Sequence, residues 1–241
     1  MSEVNLLDLY PKSRRPLVAR GKIKLSGSGR LPVEKNNFIT TEEQILKQKM
    51  LQVARKFGKE YFDGDRLYGY GGYNYHPKFW TKTAQRIRDY YGLGSGARIL
   101  DVGCAKGYLL YDLKRQFPQI KIAGVDISEY AVKNAHPEVR SHIKIADAVN
   151  LPFPDKSFDL VVSINTVSNP PLEQCQKAIQ EIMRVSRKDA FIAVHAWETE
   201  TQKSNLLKWN LTAMTTLHIN EWEKLFKQMN YTKDYCWSFM S

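Results

Sequence analysis

From residue 97 onward, short apolar runs alternate with amphipathic stretches. ARILDV, KIAGVDI, HIKIAD, DLVVSIN, AFIAVHAW and DYCWSFM read as strands, most of them too evenly apolar to show one face to water. Between them, Leu109–Phe117 reads as a helix with Pro118 beyond it. Ser128 can cap a helix running to about Ala135, where His136-Pro137 stops it. Leu172–Arg187 carries an apolar stripe through Leu172, Cys175, Ile179, Ile182, Met183 and Val185, and Glu221–Met229 forms a last helix behind an Asn220 cap. Strands alternating with helices predict an α/β fold: a mostly parallel sheet with helices on both faces, of the Rossmann-like kind.

The upstream quarter has another texture. Residues 1–40 are rich in Pro, Gly, Ser, Lys and Arg and read as an irregular arm. Thr40 or Thr41 caps a helix with Ile45, Met50, Val53 and Phe57 on its apolar side, which Gly58 ends. YFDGDRLYGYGGYNYHPKFW (61–80) follows, dense in aromatics and glycines and without a period, and then a helix from Lys78 to Tyr91. The expected organisation is therefore a basic arm and aromatic-rich cap or lid over 1–95, and an α/β domain over 96–241. A polar insertion at 198–218 would serve as a second lid element.

Charge adds one asymmetry. The net charge is +11, and residues 1–60 hold 13 of the 36 basic but 6 of the 25 acidic residues. Such a segment suits nucleic acid, an anionic surface or a phosphorylated or carboxylated small molecule, and equally a solvated face. Cys104, Cys175 and Cys236 lack disulfide-framework or metal spacing, so no metal is expected. No apolar run approaches the ~20 residues of a membrane span. Met1–Tyr10 carries Glu3 and Asp8 ahead of any apolar core, which argues against a secretory leader, so a cytoplasmic location is expected.

The chemistry concentrates where strands end. Ile99–Val102 finishes on Asp101 and runs into Gly103-Cys104-Ala105-Lys106-Gly107, small residues that let the backbone pass close beneath a ligand at a helix N-terminus. Asp126 ends the second strand, 25 residues on, where such sheets place an acid that accepts from a ribose diol. Asp147, ahead of Ala148, ends the third, where an acid and the next N–H can serve an adenine edge. A dinucleotide fingerprint would need a glycine at 108, which is Tyr108, and a phosphate-binding P-loop would need Gly-Lys-Ser/Thr, which Lys106-Gly107-Tyr108 does not supply.

ILDVGCAKGYLL, GVDISEYAV, IADAVNLPFPDKSFDLVVSINTV and EIMRVSRKDAFIAV resemble, in order and spacing, the successive motifs of class I S-adenosylmethionine-dependent methyltransferases, over about residues 97–197. Ala105 departs from the family's usual middle glycine. The resemblance implies S-adenosyl-L-methionine as cofactor. It assigns Asp101 and Gly103 to the methionine end, Asp126 to the ribose, Asp147 and Ala148 to the adenine, and Asn165 to a place after the fourth strand. With Ala105, Gly107 and Ile127, and with Tyr73 as an aromatic face for the sulfonium, these make up the expected cofactor set.

The acceptor is less defined. Candidate catalytic groups are His76 in the aromatic segment and His195 and Glu198 at the end of the fifth strand, a base being needed only if the nucleophile must lose a proton. Tyr70, Tyr75, Lys78 and Arg66 are the candidate substrate contacts, and Tyr70–His76 is expected to act as a mobile lid. Asn169-Pro170-Pro171 lacks the aromatic residue of NPPY-type nitrogen methylation and reads as a loop with a proline-started helix. The expected activity is methyl transfer to a small polar anion, a phosphorylated or carboxylated metabolite or surface-polysaccharide precursor. The alternatives are an RNA or protein methyltransferase and a non-catalytic cofactor-binding scaffold subunit.

Overall fold

The computed structural model describes residues 1–7 and 41–240. The basic cluster of Lys12, Arg14, Arg15, Arg20, Lys22, Lys24 and Arg30, and the cap expected at Thr40 or Thr41, lie outside the described residues or side chains.

Three helices lead in: α1 (Thr41–Ala54), α2 (Lys59–Phe62) and α3 (Pro77–Tyr90). The alternating part runs β1 (Arg98–Val102), α4 (Tyr108–Gln116), β2 (Lys121–Asp126), α5 (Glu129–Lys133), β3 (Ile143–Ile145), β4 (Phe158–Ile164), α6 (Leu172–Val185) and β5 (Ser186–Trp197). It closes with α7 (Glu200–Trp209), β6 (Leu217–His218), α8 (Ile219–Gln228) and β7 (Asp234–Ser238). The sheet order is β3-β2-β1-β4-β5, with β7 and β6 both paired to β5, and every ladder among the described strands is parallel. The chain builds outward from β1 to β3, then returns to the other side of β1 for β4. That reversal opens a crevice at the carboxyl ends of β1 and β4, where ligands of such sheets sit.

Alternation along the central strands divides the core between two layers. Ile99, Leu160, Val162, Phe191 and Ala193 face α3 and α4, through Trp80, Ile87, Leu109 and Leu113. Leu100, Val102, Val161, Ile192 and Val194 face α6 and α8, through Ile179, Ile182, Trp222 and Phe226. The buried carboxylate of Asp112 on α4 accepts from the Tyr75 hydroxyl at 2.8 Å, Thr81 Oγ1 at 3.2 Å and Arg115 Nη2 at 2.8 Å, tying α4 to α3.

Four expectations shift. The insertion after β5, to which the sequence assigned no element, contains a helix: Thr199 and Gln202 form a reciprocal capping box that starts α7. The cap of α8 is the His218 side chain, which accepts from the Asn220 N–H, rather than Asn220 itself. α1 ends at Ala54, and Phe57 turns the chain with a left-handed φ of 48°. Part of the expected arm is structural: Glu3 bridges Tyr235 beside β7, and Leu6 and Leu7 are buried in the first core layer. α1 in turn lies against the end of α7, where Met50 and Ala54 pack on Leu211 and Lys47 Nζ donates to the carbonyls of Lys208 and Asn210.

Because Leu6 and Leu7 belong to the core, Leu6→Ala and Leu7→Ala should each destabilise by about 2–5 kcal/mol. Urea unfolding decides this. Losses within about 0.5 kcal/mol, the size of an ordinary surface substitution, would place both residues outside the core.

Candidate active site

The turn after β1 is shaped by backbone that tolerates little side chain. Gly103 has φ 80°, and a Cβ there would lie 2.0 Å from Thr166 Oγ1, so no other residue fits without displacing the β4 end. Its N–H and that of Cys104 both donate to the Val125 carbonyl. Ala105 takes a left-handed φ of 50° despite its side chain, held by its N–H bond to Asp126 Oδ2 at 2.7 Å.

Two acids converge behind this turn. Asp126 Oδ1 accepts from the Ser128 N–H at 2.8 Å, so each carboxylate oxygen keeps a lone pair for a further donor. Burial raises its pKa, while the two N–H groups lower it. Asp101 is buried as well, and burial followed by the charge of Asp126 pushes it up to about 8. At neutral pH Asp101 therefore tends to hold a proton, ready to ionise against a cationic ligand. Asp147 sits exposed at the far end, its Oδ1 accepting from the Val149 N–H at 3.1 Å, and Ile127 shows an apolar flank that is 54% exposed. Asn165 follows β4 with φ 54°; its Oδ1 is buried without a partner among the described residues. A narrow turn under a helix start, an acid with spare lone pairs, a poised second acid and an orphaned carboxamide oxygen fit a cationic, diol-bearing nucleoside. These features test the expected cofactor against geometry, and the residues accommodate it.

The aromatic segment is fastened to that turn by a cluster that sequence reasoning missed. Lys106 is buried, and its Nζ donates to both Asp63 oxygens, at 2.8 and 2.7 Å, and to the Tyr73 carbonyl at 2.9 Å. The Tyr73 N–H and the Tyr130 hydroxyl complete the shell of Asp63, and Tyr108 Oη donates to the Tyr73 carbonyl. Burial alone would raise Asp63, but the Lys106 ammonium, the Tyr73 N–H and the Tyr130 hydroxyl hold it below the usual carboxylate range. A second pin joins Ser128 Oγ to the Phe57 carbonyl at 2.5 Å. Tyr70, Tyr73 and Phe62 pack ring on ring, with Tyr70 to Tyr73 centroids 4.6 Å apart, and Gly69 lies so close to the Tyr61 carbonyl that a Cβ would stand 2.0 Å away. The segment expected to be a lid is a packed aromatic wall. The one available signal was a lysine inside a tight glycine turn, where a charge needs a partner; nothing in the spacing pointed 43 residues upstream to Asp63.

These elements enclose a cavity of about 1240 Å³. Of the expected cofactor set, Tyr73, Asp101, Gly103, Ala105, Asp126, Ile127, Asp147, Ala148 and Asn165 line it. Gly107 instead serves as the cap position of α4 against Ile143 and Val139. His76 and His195 border the cavity, whereas Glu198 does not; its N–H donates to Gln202 Oε1 at the exposed start of α7. Tyr70, Arg66 and Lys78 line it too, and Tyr75 turns away to Asp112. Arg55, Thr166, Trp209, Trp237 and Phe239 line it as well and were not foreseen.

Removing one partner of the Lys106–Asp63 pair leaves a charge in a largely dry place, so Lys106→Met and Asp63→Asn should each destabilise by about 2–3 kcal/mol, Asp63 being partly hydrated. The double variant should recover much of that loss. Denaturant midpoints of the three proteins test the pair, and fully additive losses would show that it carries no coupling.

Residues 99–189 match a family model described as a methyltransferase domain. The tRNA (carboxymethyluridine(34)-5-O)-methyltransferase of Arabidopsis thaliana is 32% identical over 146 residues, 59% of this chain and 33% of that protein. The 2-methyl-6-phytyl-1,4-hydroquinone methyltransferase of Synechocystis is 30% identical over 137 residues, 54% of this chain and 41% of the relative. The chain thus spans between a third and a half of the length of these two proteins. Among solved structures, a SAM-dependent methyltransferase of Methanosarcina mazei aligns at 28% identity and a TM-score of 0.38, covering 42% of this chain and 51% of that one. The matched segment, residues 99–189, carries the glycine turn and the strand-end acids, and over it the chain is similar to the methyltransferase domain of class I S-adenosylmethionine-dependent methyltransferases.

Proposed function

We propose that this chain transfers a methyl group from S-adenosylmethionine to a small, polar, anionic acceptor. The cofactor supplies an electrophilic methyl on a sulfonium. Asp101, Gly103 and Ala105 would hold its methionine end, Asp126 the ribose hydroxyls, Asp147 and Ala148 the adenine edge, and Ile127 the ring face. Tyr73, with the rings around it, would shield and electrostatically favour the sulfonium.

The observation carrying the acceptor reading is the basic and aromatic part of the same cavity's lining. Arg55, Arg66 and Lys78 line the same cavity as Phe57, Phe79, Trp80 and Trp209. Guanidinium and ammonium groups beside apolar rings suit a carboxylate or phosphate on an organic body, with contacts strengthened by partial enclosure. The two curated relatives are named for a carboxymethylated nucleoside in tRNA and for a phytyl hydroquinone, so neither substrate is carried over directly. Among the described residues no helix is long and apolar enough to cross a membrane.

Asp126→Ala should weaken S-adenosylmethionine by more than tenfold, the equivalent of roughly 1.5–3 kcal/mol for charge-assisted bonds to the diol. Binding at pH 7 should also release protons, because a cationic ligand brings Asp101 down from about 8. Calorimetry in buffers of different ionisation heat measures the release, and Asp101→Asn should reduce it. Unchanged affinity in folded Asp126→Ala would overturn the ribose assignment. For the acceptor, the Arg55→Gln/Lys78→Gln double variant should raise KM about tenfold with kcat little changed. Turnover confined to neutral acceptors would defeat the charge argument, and a steep loss of activity with salt on RNA would favour the nucleic-acid alternative.

A further inference from the structure

The acceptor end of the cavity holds an imidazole for which cofactor binding has no use. The last β5 residue paired to β4 is Ala193; His195 lies two positions on, in register with Ser238 of β7. It is 4% exposed and borders the cavity. Its Nδ1 stands 3.3 Å from Ser168 Oγ and its ring centroid 5.7 Å from that of Trp209. Among the described residues no other group bonds the imidazole, which leaves Nε2 to the cavity. The strand around it is fixed, because Trp222 Nε1 donates to the His195 carbonyl at 3.1 Å. Ser168 is fully buried and its carbonyl accepts from the Met214 and Thr215 N–H groups, so the imidazole's partner is held on both sides of the insertion.

Resting on the methyltransferase reading above, we propose that His195 is the general base of this site and that its acceptor is an aryl hydroxyl on a ring bearing an anionic group. With Nδ1–H donating to Ser168 Oγ, the lone pair at Nε2 points to the cavity. As the acceptor oxygen forms its bond to the transferred methyl, its proton moves to Nε2 and the electron pair of the broken carbon–sulfur bond stays on sulfur. The products are an aryl methyl ether and a neutral thioether, and the imidazolium returns its proton to water.

The kind of hydroxyl follows from the burial. Desolvation lowers the imidazole to about 4, so it is neutral and ready at working pH, yet it is a weak base. A phenol-type hydroxyl ionises near pH 10 and comes within reach of such a base as its proton transfers; an aliphatic hydroxyl ionises far higher and does not. A carboxylate acceptor would need no base at all. The walls agree with a flat ring: Trp209 stands beside the imidazole, and Phe79, Trp80 and Phe239 line the same cavity. Arg55, Arg66 and Lys78 then meet the anionic substituent.

The probes are 4-hydroxybenzoate, benzoate, 4-aminobenzoate and 3-hydroxybutyrate. Calorimetry with S-adenosylhomocysteine present should show 4-hydroxybenzoate binding at least fivefold tighter than benzoate. His195→Asn should abolish that preference while leaving cofactor affinity unchanged. With S-adenosylmethionine, mass spectrometry should find the methyl ether of 4-hydroxybenzoate, and His195→Asn should lower kcat by a hundredfold or more, with KM raised only about fivefold, in proportion to the lost binding preference. If His195→Asn does not fold, Ser168→Ala serves instead, with kcat about tenfold lower and KM unchanged. Methylation of the amine or the aliphatic hydroxyl in preference, full turnover by His195→Asn or Ser168→Ala, or no turnover of 4-hydroxybenzoate by protein that binds cofactor would each overturn the proposal. Cofactor binding together with methylation of a non-phenolic anion would remove this inference and leave the broader one standing; failure to bind S-adenosylmethionine would remove both.

Discussion

The architecture of the site hangs on one buried ion pair. Lys106 belongs to the glycine turn after β1, and Asp63 belongs to the aromatic segment that walls the cavity. An ammonium has three protons to place, and here all three find oxygen: two on Asp63 and one on the Tyr73 carbonyl. Because the lysine is almost fully buried, the chain folds only in arrangements that bring those oxygens to it. That requirement carries Tyr70 and Tyr73 to the turn, and with them the rings stacked on Tyr108 and Phe62. The pair contributes position more than energy, since well-packed apolar groups would stabilise at least as much.

The same turn concentrates opposing costs. Two acids lie buried near one another, a glycine is required where Thr166 leaves no room, and an alanine occupies the left-handed region. The sign of the Asp101 effect is destabilising at neutral pH. A carboxyl raised from its ordinary value to about 8 contributes full stability below the ordinary value and loses it as pH rises through about 8. A sheet buried on both faces can absorb that cost, and a site accepting a cationic ligand recovers it on binding. Strain and unpaired charge therefore gather at the carboxyl edge of β1 and β2, while the layers under α4 and α6 are mainly apolar, with Asp112 the fully hydrogen-bonded acid of the first.

How much could be read from the residues alone follows from which constraints are local. Strands such as Phe158–Ile164 are evenly apolar, and α6 keeps a 3.6-residue stripe, so element types were legible. Asp101, Gly103 and Asp126 were legible because the turn geometry and strand ends fix them within a few residues of each other in the fold. What escaped depends on partners remote in sequence. Leu6 and Leu7 lie in a stretch whose composition reads as loop, and become core only because Glu3 pairs with Tyr235. Tyr75 and Glu198 have the right chemistry and neighbourhood, yet Asp112 draws one away and the capping box of α7 absorbs the backbone of the other. Thr199 and Gln202 held a capping signal that the polarity of the insertion hid.

A division of labour follows from these attachments. The groups proposed to hold the cofactor sit on strand ends, which the packed sheet holds rigidly, so their positions are set by the fold itself. The remaining cavity walls, proposed to take the acceptor, come from the 55–80 segment, the loop after β4, α7 and the tail of β7, elements held in place through a few polar pins. Those pins are Asp63 with Lys106, Phe57 with Ser128, and Lys47 with the end of α7. Side chains between the pins, such as Arg55 and Lys78, can change without disturbing either core layer, because neither contributes to the buried clusters. His195 is the exception, a polar group on a core strand that is buried by the same insertion whose loop reaches Ser168. Its place cannot drift with the walls, which is what a group acting on the reacting atom, rather than on the body of the acceptor, requires.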